Sequence, residues 1–211
     1  MKKIRRRMRE RYYDSLFYAI FHYKECHKNK MLCKKYPWLI PRQDGANKKL
    51  KGYHYQWTEL DFMPVGWRKA FGEMMMEDIL EACKKDNINP NDVRIFECKE
   101  KYGALRMYLN VYEENIQRVL DGYEQVSQNI CIKCGKVDVP QTNFGWIMPE
   151  CRSCYIKYFG NAKQYDDYYE KISFSDCIIP NYYTVHTSAG TKNIDLTWIT
   201  KRLRSQTHGE N

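Results

Sequence analysis

The chain is 211 residues long, 43% hydrophobic and 15% aromatic, which excludes a disordered polymer and allows one large or two small domains with a real core. No run approaches the ~20 apolar residues that span a bilayer, and the basic start leads into an aromatic stretch broken by Asp14 instead of a signal-peptide core, so a cytoplasmic protein without a membrane partner is expected. The formal net charge of +9 is local: residues 1–35 carry twelve Lys or Arg against three acids, and the rest balance at twenty-three against twenty-three.

Residues 3–27 set Ile4, Met8, Tyr12, Leu16, Ala19, Ile20 and Tyr23 at helical spacing. They predict an amphipathic helix in a segment, 1–35, whose first turns carry Lys2, Lys3, Arg5, Arg6, Arg7, Arg9 and Arg11. These seven cations repel one another, and an acidic partner would relieve the repulsion: nucleic acid first, then an acidic protein surface or anionic lipid, with a solvated helix end as the bland alternative. Residues 36–56 hold two prolines and Asp44-Gly45 without periodicity, the mark of a connecting loop that Trp38 and Leu39 would anchor. Trp67, Ala70, Phe71, Met74, Met75, Ile79, Leu80 and Cys83 then recur at i, i+3, i+4, i+7 and predict a helix that stops before Asn89-Pro90. Within it the Met74-Met75-Met76 triplet reads as core filler.

Residues 93–99 and 104–110 predict a β-hairpin, and residues 111–128 a helix with Ile116, Val119, Leu120, Tyr123 and Val126 on one face. A cysteine module follows at 129–160. The last stretch, 161–211, is expected as a tyrosine-rich extension with a turn at Ser188-Ala189-Gly190 and a basic end. The fold class is therefore α+β: a core domain, 36–128, with helices packed on a small antiparallel β-hairpin, then a zinc ribbon and a C-terminal extension.

Nine cysteines are an odd number, and four of them form two C-x-x-C pairs, which favours reduced thiols on a metal over disulfides. Cys131-Ile132-Lys133-Cys134 and Cys151-Arg152-Ser153-Cys154 are sixteen residues apart, the spacing of a closed tetrahedral zinc site. A C-x-x-C turn lets two thiolates face one ion, and Gly135 permits the backbone to turn beneath it. Four sulfur ligands leave no open position for water or substrate, so this Zn2+ would be structural. His22, Cys26, His27 and Cys33 form a second candidate cluster, but their spacing fits no standard site and packing is the simpler reading.

Paired C-x-x-C knuckles also occur in HNH-type nucleases, whose histidines stand beside the zinc module, yet residues 129–160 contain no histidine. A metal-dependent nuclease using His22, His27 or His54 is the alternative to a binding protein. The chain has no Gly-rich phosphate loop, Gly-x-Ser-x-Gly elbow or His-Glu-x-x-His, so enzymatic chemistry has no anchor in it.

Three blocks resemble a family of short bacteriophage and prophage proteins of uncharacterised activity: the segment from Trp57 through Pro64, Trp67 and Phe71 to Gly72, the segment from Lys99 through Gly103 and Arg106 to Tyr108, and the cysteine pairs flanking Gly145-Trp146-Ile147. The resemblance spans roughly residues 55–155. It implies a phage or prophage source and a cytoplasmic setting inside a bacterium, and it implies no mechanism. Small phage proteins without enzymatic signatures act by binding a host complex, defence nucleases included, so by analogy a nucleic acid, a host nucleoprotein or a host protein is the expected partner, and inhibition of a bacterial defence system the expected role. Within the blocks, Trp57, Trp67, Phe71 and Tyr102, with Lys99, Lys101 and Arg106, suit either an exposed stacking patch or a buried junction between hairpin and helix.

Overall fold

The computed structural model describes residues 19–20, 22–42, 50, 52–187 and 190–207. The basic run from Lys2 to Arg11, and Ser188 and Ala189 of the expected turn, lie outside the described residues. The architecture is α+β, with helices around three separate two-stranded antiparallel sheets.

Helix α1 (Tyr23–Lys35) buries Cys26 and Cys33 and stops at Tyr36, because Pro37 disfavours helical backbone before it and cannot donate an N–H. The following turn (Pro37–Leu39) sinks Trp38 and Leu39 into the core, and Trp38 Nε1 donates to Met76 Sδ at 3.1 Å. The anchoring role expected of Trp38 and Leu39 is the observed one.

The central helix is built in three pieces: α2 (Val65–Trp67), one wide π turn (Arg68–Gly72) and α3 (Glu73–Lys85). Met74, Met75 and Met76 are all buried, so the unbranched thioethers fill the core on more than one face of α3. Asp86, at the end of α3, accepts from Asn115 Nδ2 at 2.5 Å and from Ile116 N at 3.2 Å, satisfying donors at the start of α4 (Glu114–Ser127). Ile116, Val119, Leu120, Tyr123 and Val126, one face in the heptad pattern, are all buried.

Strands β1 (Ile95–Lys101) and β2 (Ala104–Leu109) pair across a two-residue turn, Tyr102-Gly103, and send Leu105, Met107 and Leu109 into the core. A bulge at Phe96 shifts the register and leaves that ring exposed. Strands β3 (Gln141–Asn143) and β4 (Ile147–Pro149) follow, then α5 (Arg152–Phe159) and α6 (Ala162–Tyr169). The last described elements are β5 (Tyr182–Thr187), β6 (Gly190–Asp195) and α7 (Thr197–Thr207).

Within the expected extension, 161–211, described residues pack on the core. Leu196, Ile199 and Leu203 belong to the same buried cluster as Trp67 and Tyr123, and Arg202 grips both Asp78 carboxylate oxygens at 2.6 and 2.8 Å. Tyr123 donates to the same carboxylate at 2.5 Å, and burial pushes its hydroxyl far above the ordinary tyrosine range. Leu203→Ala is therefore expected to lower the stability of the whole chain by about 3 kcal/mol, read as one cooperative denaturant transition moved to lower midpoint. An unmoved midpoint would detach α7 from the core.

Candidate metal centre

The first cysteine pair sits on a tight knuckle closed by an isolated bridge between Ile130 and Val137. Cys131 N donates to Lys136 O at 2.7 Å and Gly135 N to Cys131 O at 2.9 Å, so the chain reverses within six residues. Gly135 takes φ +90, a conformation open to glycine at no steric cost. Lys136 N points at Cys134 Sγ, 3.4 Å away, and supplies a donor that stabilises negative charge on that sulfur.

The second pair is held differently. Cys151 is the residue before the first turn of α5, with extended backbone, and Cys154 lies in that turn. A helical turn brings residues three apart onto one side, so the same C-x-x-C spacing serves a knuckle at one end and a helix N-terminus at the other. Positive helix-end potential and free N–H groups also suit thiolates there. The four cysteines of the expected zinc ribbon thus come together, the first pair on a knuckle and the second at a helix N-terminus.

All four sulfurs lie within 4.8 Å of one another, and Cys134 Sγ and Cys151 Sγ are 3.6 Å apart. A tetrahedral ion with ~2.3 Å metal–sulfur bonds requires sulfurs roughly 3.8 Å apart, so the cluster fits a single ion in size and in donor chemistry. Cys131 and Cys151 pack on Val139. Burial pushes Cys131 up to about 11 and raises Cys154. At Cys151 burial also acts upward but is outweighed by hydrogen bonds from Ser153 and from Cys154, leaving that thiol at about 7. Four thiols this close cannot all ionise unless a cation sits among them.

The knuckle is also bolted to the core. Gly66 N donates to Ile132 O at 3.0 Å, and Trp67 Nε1 to Ile130 O at 2.8 Å. A Cβ built at Gly66 would stand 2.2 Å from Cys131 O and 2.6 Å from Ile132 C, so only glycine lets α2 lie this close to the ligand-bearing backbone. Sequence reading passed over Gly66, although the Pro64-Val65-Gly66-Trp67 stretch marked a helix start. It also passed over Glu150, beside Cys151, whose carboxylate is buried with neither oxygen hydrogen-bonded and is raised by burial against the opposing pull of Lys133.

The other expected site residues do not converge. Among the described residues the four module cysteines are the one group of three or more potential ligands found, so His22, Cys26, His27 and Cys33 do not form a second site. His22 faces Glu25 at 3.6 Å, and His27 lies against Tyr23 with ring centres 5.9 Å apart. Of the aromatic set, Trp57, Trp67 and Phe71 are buried and only Tyr102 is exposed, which divides what the sequence left as alternatives. No helix among the described residues is long and apolar enough to cross a membrane. Comparison with protein families, with curated proteins and with solved structures finds no match to the chain.

Proposed function

We propose that this is a phage-type zinc protein that works by binding a nucleic acid or a host nucleoprotein, with one structural Zn2+ on Cys131, Cys134, Cys151 and Cys154. The carrying observation is the four-sulfur cluster, closed on every side by thiols and docked into the core through Gly66. Knuckle, hairpin and helix N-terminus follow one another along the chain around it. Such a centre fixes the relative placement of three surface elements and leaves the metal no vacant position for chemistry.

The charge distribution supports an anionic partner. Between residues 128 and 160 the only acids are Asp138 and Glu150. Asp138 faces Arg204 at 3.7 Å, and Glu150 is buried. Lys133, Lys136 and Lys157 outnumber them, with Asp138 the one exposed carboxylate of that stretch, and the run from Lys2 to Arg11 adds seven further cations. Inhibition of a bacterial defence complex is a role this binding would serve, on the strength of the phage resemblance.

Binding of labelled DNA and RNA measured against salt tests the proposal. If Lys2, Lys3, Arg5, Arg6, Arg7, Arg9 and Arg11 contact phosphates, replacing Arg5, Arg6 and Arg7 together with Gln lowers the slope of log affinity on log salt by roughly two to three units. Affinity should fall equally for unrelated sequences while zinc content stays unchanged. Gln and Arg have similar helix propensity, so lost helix would not explain that result. No detectable binding by the wild type at ~50 mM salt, where this attraction is strong, would reject a nucleic-acid partner. Cleavage with Mg2+ or Mn2+ that one substitution of His22, His27 or His54 abolishes would establish the nuclease instead.

A further inference from the structure

Two hairpin tips meet at the edge of the metal module. The β1–β2 turn is Tyr102-Gly103, and the β3–β4 turn is Phe144-Gly145-Trp146. A Cβ at Gly103 would lie 2.9 Å from Gln141 Nε2 and 3.0 Å from Ile147 Cγ2, so the residues following Tyr102 and Trp146 are in contact. Phe144 turns inward, with its ring centre 5.1 Å from those of Tyr155 and Tyr168. Trp146 turns outward and is 66% exposed, and Tyr102 is 71% exposed. Among the described residues Trp146 has no ring or hydrogen-bond partner, and Tyr102 has the Lys101 ammonium 5.5 Å from its ring centre.

Tyr102 is costly where it stands. Its φ is +54 and that of Gly103 is +75, the signature of a type I′ turn, whose first position favours Asn, Asp or Gly. A bulky side chain there is strained on the order of 1 kcal/mol. Tyr55 takes the same backbone region, at φ +64, but packs 5.2 Å from the Tyr53 ring. Tyr102 has no comparable packing in return. Strain held at an exposed ring that contributes nothing to the core points to a task outside folding.

We propose that Tyr102 and Trp146 form a stacking platform for unpaired bases of a single-stranded nucleic acid, with Lys101, Lys133, Lys136 and Lys157 attracting its backbone. The inference rests on the nucleic-acid reading above and assigns it a site separate from the basic N-terminal run. Aromatic faces accept any base, and Lys101 beside Tyr102, with the lysines of the metal module, matches the charge of the strand. None of these four lysines has an ion-pair partner among the described residues.

The test uses the full zinc-loaded chain and fluorescein-labelled dT15, with a duplex of equal length as comparison. Tyr102→Asn and Trp146→Ala should each weaken dT15 binding about 5- to 100-fold. The salt slope should stay unchanged, because no phosphate contact is lost. Tyr102→Asn should leave the thermal midpoint unchanged or raise it, since Asn suits the turn, so weakened binding could not be ascribed to misfolding. Trp38, Trp57 and Trp67 are buried, and Trp198 is half-buried against Tyr123 with its Nε1 donating to Asp195 O, so saturation with dT15 should quench chiefly Trp146, and Trp146→Phe should remove the quench. Wild-type affinity in both tip variants, or equal affinity for duplex and single strand, overturns the platform while the broader binding reading stands. Undetectable wild-type binding of either nucleic acid overturns both.

Discussion

Replacing Cys131 with Ser is expected to abolish metal retention and lower the thermal midpoint by more than about 10 °C. Metal analysis of the wild type, purified without added zinc, should return about one zinc per chain. A four-thiolate zinc contributes folding free energy outright, with apparent values of ~10–16 kcal/mol in isolated finger peptides. Only part of that is expected here, because the module already has contacts to the rest of the chain. Ile130 and Ile132, which flank Cys131, belong to the main buried cluster, so loosening the knuckle also loosens the core. A loss of about 5 kcal/mol corresponds to roughly 10–20 °C in a chain of this size. Cys177→Ala is the control: Cys177 is buried but lies outside the cluster, and its variant should keep the metal. Iron, no metal, or a Cys131→Ser protein that retains full zinc would overturn the assignment.

Signals carried within a few residues were legible, and those made by distant parts of the chain were not. The i, i+3, i+4, i+7 pattern from Trp67 to Cys83 covers the central helix from the end of α2 through the π turn into α3, and the face from Ile116 to Val126 describes α4, because a buried helix stripe must repeat at that period. The ligand cysteines were equally legible, since two C-x-x-C pairs at this separation are spacing information. Their local geometry was only half legible. Gly135 after the first pair pointed to a backbone turn, whereas the helix Arg152–Phe159 with left-handed Gly160 at its end was not read from the residues after the second pair, and that difference separates a knuckle from a helix N-terminus. The docking of α7 depends on Arg202 meeting Asp78, 124 residues earlier, and no local pattern encodes such a pair. Trp57, Trp67 and Tyr102 could not be sorted by residue type, because large aromatics serve cores and interfaces alike. Only the contacts of the surrounding elements decide which rings are covered.

Gly66→Ala should separate docking of the metal module from metal binding. The new methyl carbon would sit 2.2 Å from Cys131 O, 2.6 Å from Ile132 C and 2.7 Å from Ile132 O. All three atoms are backbone, so no side-chain rotation relieves the overlap, and α2 and the knuckle must move apart. Overpacking typically costs about 1–3 kcal/mol. Separation would also weaken the hydrogen bonds from Gly66 N to Ile132 O and from Trp67 Nε1 to Ile130 O, each worth roughly 1 kcal/mol. Alanine's better helix propensity returns at most about 1 kcal/mol. The net expectation is a loss of about 2–4 kcal/mol, or roughly 4–16 °C in thermal midpoint. All four ligands come from residues 131–154 and none from α2, so the variant should still carry one zinc per chain. Gly145→Ala calibrates the result: Gly145 has φ +92 but nothing within 4 Å of its added carbon, so only backbone strain of about 1–2 kcal/mol applies. If Gly66→Ala melts no lower than Gly145→Ala, the knuckle does not rest on α2. If it loses its zinc as well as its stability, the four cysteines hold the ion only when the core presses them together.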